Sequence, residues 1–84
     1  MKHFASPAFW HHYRSLPEEI QALADKNFTL LKADPRHPSL RLKKIGEFWT
    51  VRVGLRYRAI ATAGAEGIIW IWIGSHKDYD LLLK

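Results

Sequence analysis

The sequence contains no cysteine, so neither a disulfide framework nor a thiolate metal site can be built from it. Its four prolines, Pro7, Pro17, Pro35 and Pro38, all fall in the first half of the chain. The second half lacks the residue least compatible with a central strand. No long hydrophobic run is present: the longest uninterrupted apolar stretch, Ile68 to Ile73, has the length of a strand and not of a membrane span. The opening residues, through Ser6-Pro7, hold no apolar core of signal-peptide length, which points to a cytoplasmic protein. No segment is repeated and none is of low complexity. With 84 residues, the chain is expected to form one domain over 1–84. A domain of this size buries only about 60% of its unfolded surface, so its stability margin is thin and a partner is welcome.

What is present is apolar and basic. A composition of 48% hydrophobic and 13% aromatic residues argues for a packed core and against disorder. The net charge of +5 is concentrated: residues 36–58 carry seven basic side chains against one acidic, while the flanking segments are close to neutral. The cluster is Arg36, Arg41, Lys43, Lys44, Arg52, Arg56 and Arg58, with Glu47 the lone acid. Such focusing suits a polyanionic partner, nucleic acid first. A solvated face, or one meeting an acidic protein, is the alternative that charge alone leaves open.

Ser6-Pro7 has the pattern of an N-cap followed by proline at the first helical position, opening a short helix to about Tyr13 or Arg14. Leu16-Pro17-Glu18-Glu19 opens a second helix with acids in its first turn, and Ile20, Leu23, Ala24, Phe28 and Leu31 recur at helical spacing up to Asp34-Pro35. Beyond Arg36-His37-Pro38 the period becomes alternating. Strands are predicted at 40–45, 48–53, 57–62 and 68–73, with short connections that make the sheet antiparallel. Ser75-His76-Lys77-Asp78 has capping-box spacing ahead of a final short helix. The fold class is α+β, two N-terminal helices on a four-stranded antiparallel sheet with a short C-terminal helix.

Parity sorts the sheet faces. Trp49, Val51, Val53, Tyr57, Ala59, Ala61, Ile69, Ile71 and Ile73 are expected to face the helices, leaving Phe48, Thr50, Arg52, Arg58, Ile60, Thr62, Trp70 and Trp72 as a binding face of cations and aromatics. If Val53 pairs with Tyr57, Arg52 lies opposite Arg58, a like-charge pair that costs stability and that an anion would offset. If Thr62 pairs with Ile68, Arg58 also faces Trp72, within reach of guanidinium–ring stacking. The alternating strand directions bring Arg52, Arg58 and His76 to one end of the sheet. Two guanidinium groups able to hold a phosphate, beside an imidazole that titrates near neutrality, suit phosphodiester chemistry.

Other residues carry less. Asp78 can orient His76 but sits at a capping position. Glu47 lies about 15 to 17 Å from Arg52 at the rise of a strand. His11 and His12 point about 100° apart on a helix and, with His3 and His37, read as surface residues and not as a metal site. Lys43 and Lys44 either hold a phosphate backbone or solvate an edge strand. There is no Gly-rich phosphate loop and no nucleophile elbow.

The strings Leu42-Lys43-Lys44-Ile45, Trp49 to Ala59, and Ile73-Gly74-Ser75-His76-Lys77-Asp78-Tyr79, with Leu16 to Ile20 and Asp34-Pro35 before them, resemble the RelE/ParE toxin superfamily over nearly the whole chain. Members are small basic toxins of bacterial toxin–antitoxin pairs; RelE-like members cleave messenger RNA on the ribosome, and ParE-like members poison DNA gyrase. The resemblance implies a RelE-like, metal-independent and cofactor-free endoribonuclease with a cognate antitoxin. His76, in a Gly-Ser-His motif, would act as general acid or base, with Arg52 and Arg58 on the scissile phosphate. Lys43, Lys44 and Arg56 would hold the RNA backbone, and Trp72 would stack a base. Thr50 stands where some RelE-like toxins have a second lysine, and Tyr79 is the local counterpart of a C-terminal tyrosine. A gyrase inhibitor, or a non-catalytic member that binds antitoxin or RNA, is the alternative.

Overall fold

The computed structural model describes residues 2–83. The chain begins with a strand, β1 (Lys2–Ala5), and Ser6 then turns it into a helix, α1 (Pro7–Arg14). The Ser6 hydroxyl accepts the Phe9 N–H at 3.1 Å, and Pro7 stands where a helix has no use for an N–H. The longer helix α2 (Glu18–Ala33) carries Glu18 and Glu19 in its first turn. Gln21 on α2 donates to the carbonyls of Tyr13 and Leu16, each at 3.1 Å, satisfying backbone acceptors at and beyond the end of α1. The Tyr13 hydroxyl donates to Asp25 at 2.8 Å, a second tie between the two helices.

A single 3-10 turn over Pro38–Leu40 and a left-handed Arg41 (φ 51°) lead into β2 (Lys43–Ile45), β3 (Phe48–Val53), β4 (Tyr57–Ala63), β5 (Gly67–Ser75) and a last helix, α3 (His76–Leu82). Strand order is β1-β5-β4-β3-β2. The last four strands are antiparallel, as expected from their short connections, and β1 adds a parallel edge against β5. The sheet therefore has five strands where four were read. Gly46 and Gly54 take the positive φ (59° and 66°) that the tight β2–β3 and β3–β4 turns require. The first of the predicted strands is shorter than expected, because Pro38 and Arg41 hold residues 38–42 out of the ladder.

β3 and β4 follow parity, and β5 departs from it. Between the pairs Ile60↔Trp72 and Ala61↔Trp70 the register shifts, leaving Ile71 as an extra residue. Downstream of this bulge Ile73 faces the helices as expected; upstream, Ile68 and Trp70 do so and Ile69 does not. Trp70, expected on the open face, is thus a core residue, 5% exposed, and Ile69 pairs with Thr62 on the other side. The core joins Leu31, Leu40, Val51, Val53, Ala59, Ala61, Ile68, Trp70 and Ile73, with Phe9 and Tyr13 of α1 and Leu23, Ala24 and Leu30 of α2 packed on it. Burial of each of the Val, Leu and Ile side chains among them is worth about 1.5–3 kcal/mol. Packing is incomplete: a cavity of about 270 Å³ opens between α1, α2 and the sheet, and Phe28, expected inward, stands at its margin 38% exposed. No helix among the described residues is long and apolar enough to cross a membrane.

Candidate functional site

The hairpin β3–β4 sets Arg52 directly opposite Arg58, with Val53 opposite Tyr57. This is the expected register, and it places two guanidinium groups side by side on the face turned away from α1 and α2. Both side chains are half-buried, and Nε of Arg52 and Nε and Nη1 of Arg58 are covered without an acceptor among the described residues. No carboxylate forms an ion pair with either one there. Each covered N–H without a partner costs about 1–3 kcal/mol, and the like-charge pairing adds to that. An anion on the remaining guanidinium nitrogens offsets the charge.

The partner of Arg58 on β5 is Gly74, and Trp72 is opposite Ile60 instead. The expected Arg58–Trp72 pairing is corrected by two local features, the Ile71 bulge and a turn that pairs Ala63, not Thr62, with Ile68. Trp72 still comes close by another route. Its ring folds over Gly74, so that a Cβ at residue 74 would stand 2.5 Å from the indole. The ring thus covers the spot facing Arg58. The aromatic partner of the Arg58 guanidinium is Tyr79, whose ring centre lies 5.4 Å away.

Tyr79 is the hinge of the arrangement. It is 6% exposed on α3, its hydroxyl is covered without a partner among the described residues, and its ring centre is also 5.9 Å from that of His76. Arg58 and His76 therefore both approach one phenol ring. The backbone of His76 is pinned by its N–H, which donates to the Arg56 carbonyl at 2.7 Å. The Ser75 hydroxyl accepts the Asp78 N–H at 3.2 Å, so Asp78 sits at the capping position and it is Asp80 that reaches the imidazole, with Oδ2 3.0 Å from Nδ1.

The other candidates separate. Lys43 pairs with Thr50 and shares the face of Arg52 and Arg58, whereas Lys44 pairs with Trp49 and lies over that indole (5.8 Å) on the opposite face. Arg56 is exposed in the β3–β4 turn. Thr50 is fully buried, its hydroxyl without a partner among the described residues. Glu47 lies in the β2–β3 turn, at the far end of β3 from Arg52. No group of three or more His, Cys, Asp or Glu among the described residues is arranged to hold a metal ion. Two neighbours escaped the sequence reading. Asp80 has the i, i+4 helical spacing from His76 that would have disclosed it. His12, whose ring lies 6.2 Å from that of Trp72, could not be found by spacing, because it depends on α1 packing along β5.

Comparison with known proteins follows the same lines. Among solved structures, the RelB–RelE antitoxin–toxin complex from Methanococcus jannaschii superposes with a TM-score of 0.73 at 16% identity, covering 96% of this chain and 99% of the other. The YoeB/ParE toxin from Agrobacterium tumefaciens gives 0.68 at 14% identity over 90% and 99%. The isolated E. coli RelE toxin gives 0.63 at 13% identity over 95% and 93%. At these identities the likeness is one of fold. No curated protein matches the sequence. The ParE-like toxin domain, however, matches residues 18–80, from the first turn of α2 to Asp80 itself, and the chain accordingly belongs to the ParE-like toxin family of the RelE/ParE superfamily.

Proposed function

We propose that this toxin is a metal-independent endoribonuclease that cleaves messenger RNA presented by the ribosome. The observation that supports this reading is the paired, acceptor-poor Arg52 and Arg58, linked through the Tyr79 ring to the imidazole of His76. In the reaction, His76 takes the proton of an RNA 2′-hydroxyl as its oxygen attacks the adjacent phosphorus. The bond to the 5′-oxygen breaks and that oxygen receives a proton from water, leaving a 2′,3′-cyclic phosphate and a free 5′-hydroxyl. Arg58 and Arg52 stabilise the negative charge that builds on the phosphorane. Trp72 offers a ring for a base to stack on, and Lys43, on the arginine face, and Arg56, exposed in the β3–β4 turn, meet the backbone. A cognate antitoxin with an acidic or amphipathic segment over the arginine pair would silence the site by offsetting its charge, and the action is cytoplasmic.

The test is to map transcript 5′ ends in a bacterial host after brief induction of the wild type and of His76→Ala, with growth followed in parallel. New ends inside translated codons are expected for the wild type, falling by about 10²–10⁴-fold for His76→Ala, the usual worth of acid–base catalysis. Equal growth arrest by both proteins without new ends would refute the nuclease reading and turn attention to gyrase.

A further inference from the structure

We infer that Asp80 is a positioning residue that selects the proton-bearing nitrogen of His76, an inference resting on the proposed role of His76 as proton carrier. The main chain of His76 is fixed by its N–H, which donates to the Arg56 carbonyl at 2.7 Å, and its ring has two neighbours: the Tyr79 ring, centre to centre 5.9 Å, and Asp80, whose Oδ2 is 3.0 Å from Nδ1. An ionised carboxylate only accepts hydrogen bonds, so the contact with Asp80 favours the neutral tautomer that carries its hydrogen on Nδ1. The lone pair then sits on Nε2, for which no hydrogen-bond partner exists among the described residues. Nε2 is thus the nitrogen free to take a proton from a hydroxyl.

Chain geometry explains why Asp80 and not Asp78 has this role. Residues four apart lie above one another on a helix, so Asp80 falls over His76 one turn on, while Asp78 is used at the cap through its N–H to Ser75. His76 and Asp80 side chains are 44% and 61% exposed, so the contact is an open one and its effect is smaller than that of a buried dyad.

Long-range proton–nitrogen NMR of the purified, full-length protein reads the tautomer directly, independently of any activity. Wild type is expected to show His76 with the proton on Nδ1. Asp80→Ala is expected to move the neutral ring toward the Nε2-protonated form and to slow cleavage of ribosome-bound messenger RNA about ten-fold under single-turnover conditions. Asp80→Glu is expected to restore both. Amide spectra of each variant check the fold. An Nε2-protonated His76 in the wild type, or a tautomer unchanged in Asp80→Ala, overturns the inference. A wild type with the Nδ1 tautomer whose cleavage is unaffected by His76→Ala instead overturns the proton-carrier reading, so the two failures are told apart.

Discussion

Arg58 concentrates the conflict between stability and use in this molecule. It stands opposite another arginine, two of its nitrogens are covered without acceptors among the described residues, and its guanidinium has the Tyr79 ring at 5.4 Å. A side chain chosen for stability would not be placed so. Arg58→Ala removes the like-charge pairing and two covered donors but also the guanidinium over the Tyr79 ring, and these oppose one another. The melting transition is therefore expected to shift by no more than about 1 kcal/mol in either direction. Cleavage, by contrast, should fall by about 10²–10³-fold, the usual loss when one donor to a developing oxyanion is removed. Thermal denaturation and single-turnover cleavage on the same preparation check both halves. If Arg58→Ala unfolds the protein, the arginine is a structural residue and the electrostatic argument fails. That Arg52 faces Arg58 was legible in the sequence, because the three-residue Gly54-Leu55-Arg56 turn sets the register. That Tyr79 and not Trp72 meets Arg58 was not, since it depends on a one-residue slip in the neighbouring strand.

At the level of elements, the helices and central strands were readable because each has a local signal: Ser6-Pro7 and Pro17-Glu18-Glu19 at helix starts, Gly46 and Gly54 at turns, and alternation in β3 and β4. β5 has none of this. Ile68 to Ile73 is apolar at every position, so a bulge at Ile71 leaves no trace in the pattern, and its faces were partly misassigned. β1 was missed because four residues leading into a helix cap carry too short a pattern to distinguish strand from lead-in. Its hold on the sheet is chemical. His3 Nδ1 accepts the Trp70 indole N–H at 3.2 Å, its ring lies nearly parallel to the indole (9°), and Phe28 meets it edge-on. Burial first, and then nearby positive charge including Lys32, lowers the His3 pKa below its ordinary 6.5. The folded chain thus binds this proton more weakly than the unfolded chain does. The stability His3 supports is present above pH 6.5 and is lost as the pH falls through the lowered value. Amide exchange in β1, corrected for intrinsic rates, is expected to quicken between pH 7 and pH 5, and His3→Gln should abolish that dependence; equal protection at both pH values would refute it. Gly67→Ala should detach the same strand at any pH, because a Cβ there would overlap the Lys2 carbonyl.

Across the whole molecule, charge and shape become a single question of which cations share a surface. The sequence grouped seven basic residues between 36 and 58, but a strand sends neighbours to opposite faces, and the fold divides them. Lys43 joins Arg52 and Arg58 through the row Lys43–Thr50–Ile60, while Lys44 lies over Trp49 on the other side of the sheet. Adjacent lysines of equal charge and similar exposure therefore form a controlled comparison. Single-stranded nucleic acid releases counterions with a slope of about −0.7 in log K against log salt for each phosphate neutralised. Lys43→Ala should make the salt dependence of RNA binding shallower by about that amount, whereas Lys44→Ala should leave the slope as it is. The measurement is a salt titration of the cleavage-deficient His76→Ala protein against a short single-stranded RNA. Both variants remove one unit of positive charge, so an effect of overall charge would flatten the two slopes equally, and that outcome would exclude a defined RNA track on the arginine face. A change confined to Lys43 would instead mean that RNA lies along the face where Arg52 and Arg58 stand, which is the side from which the scissile phosphate must reach them.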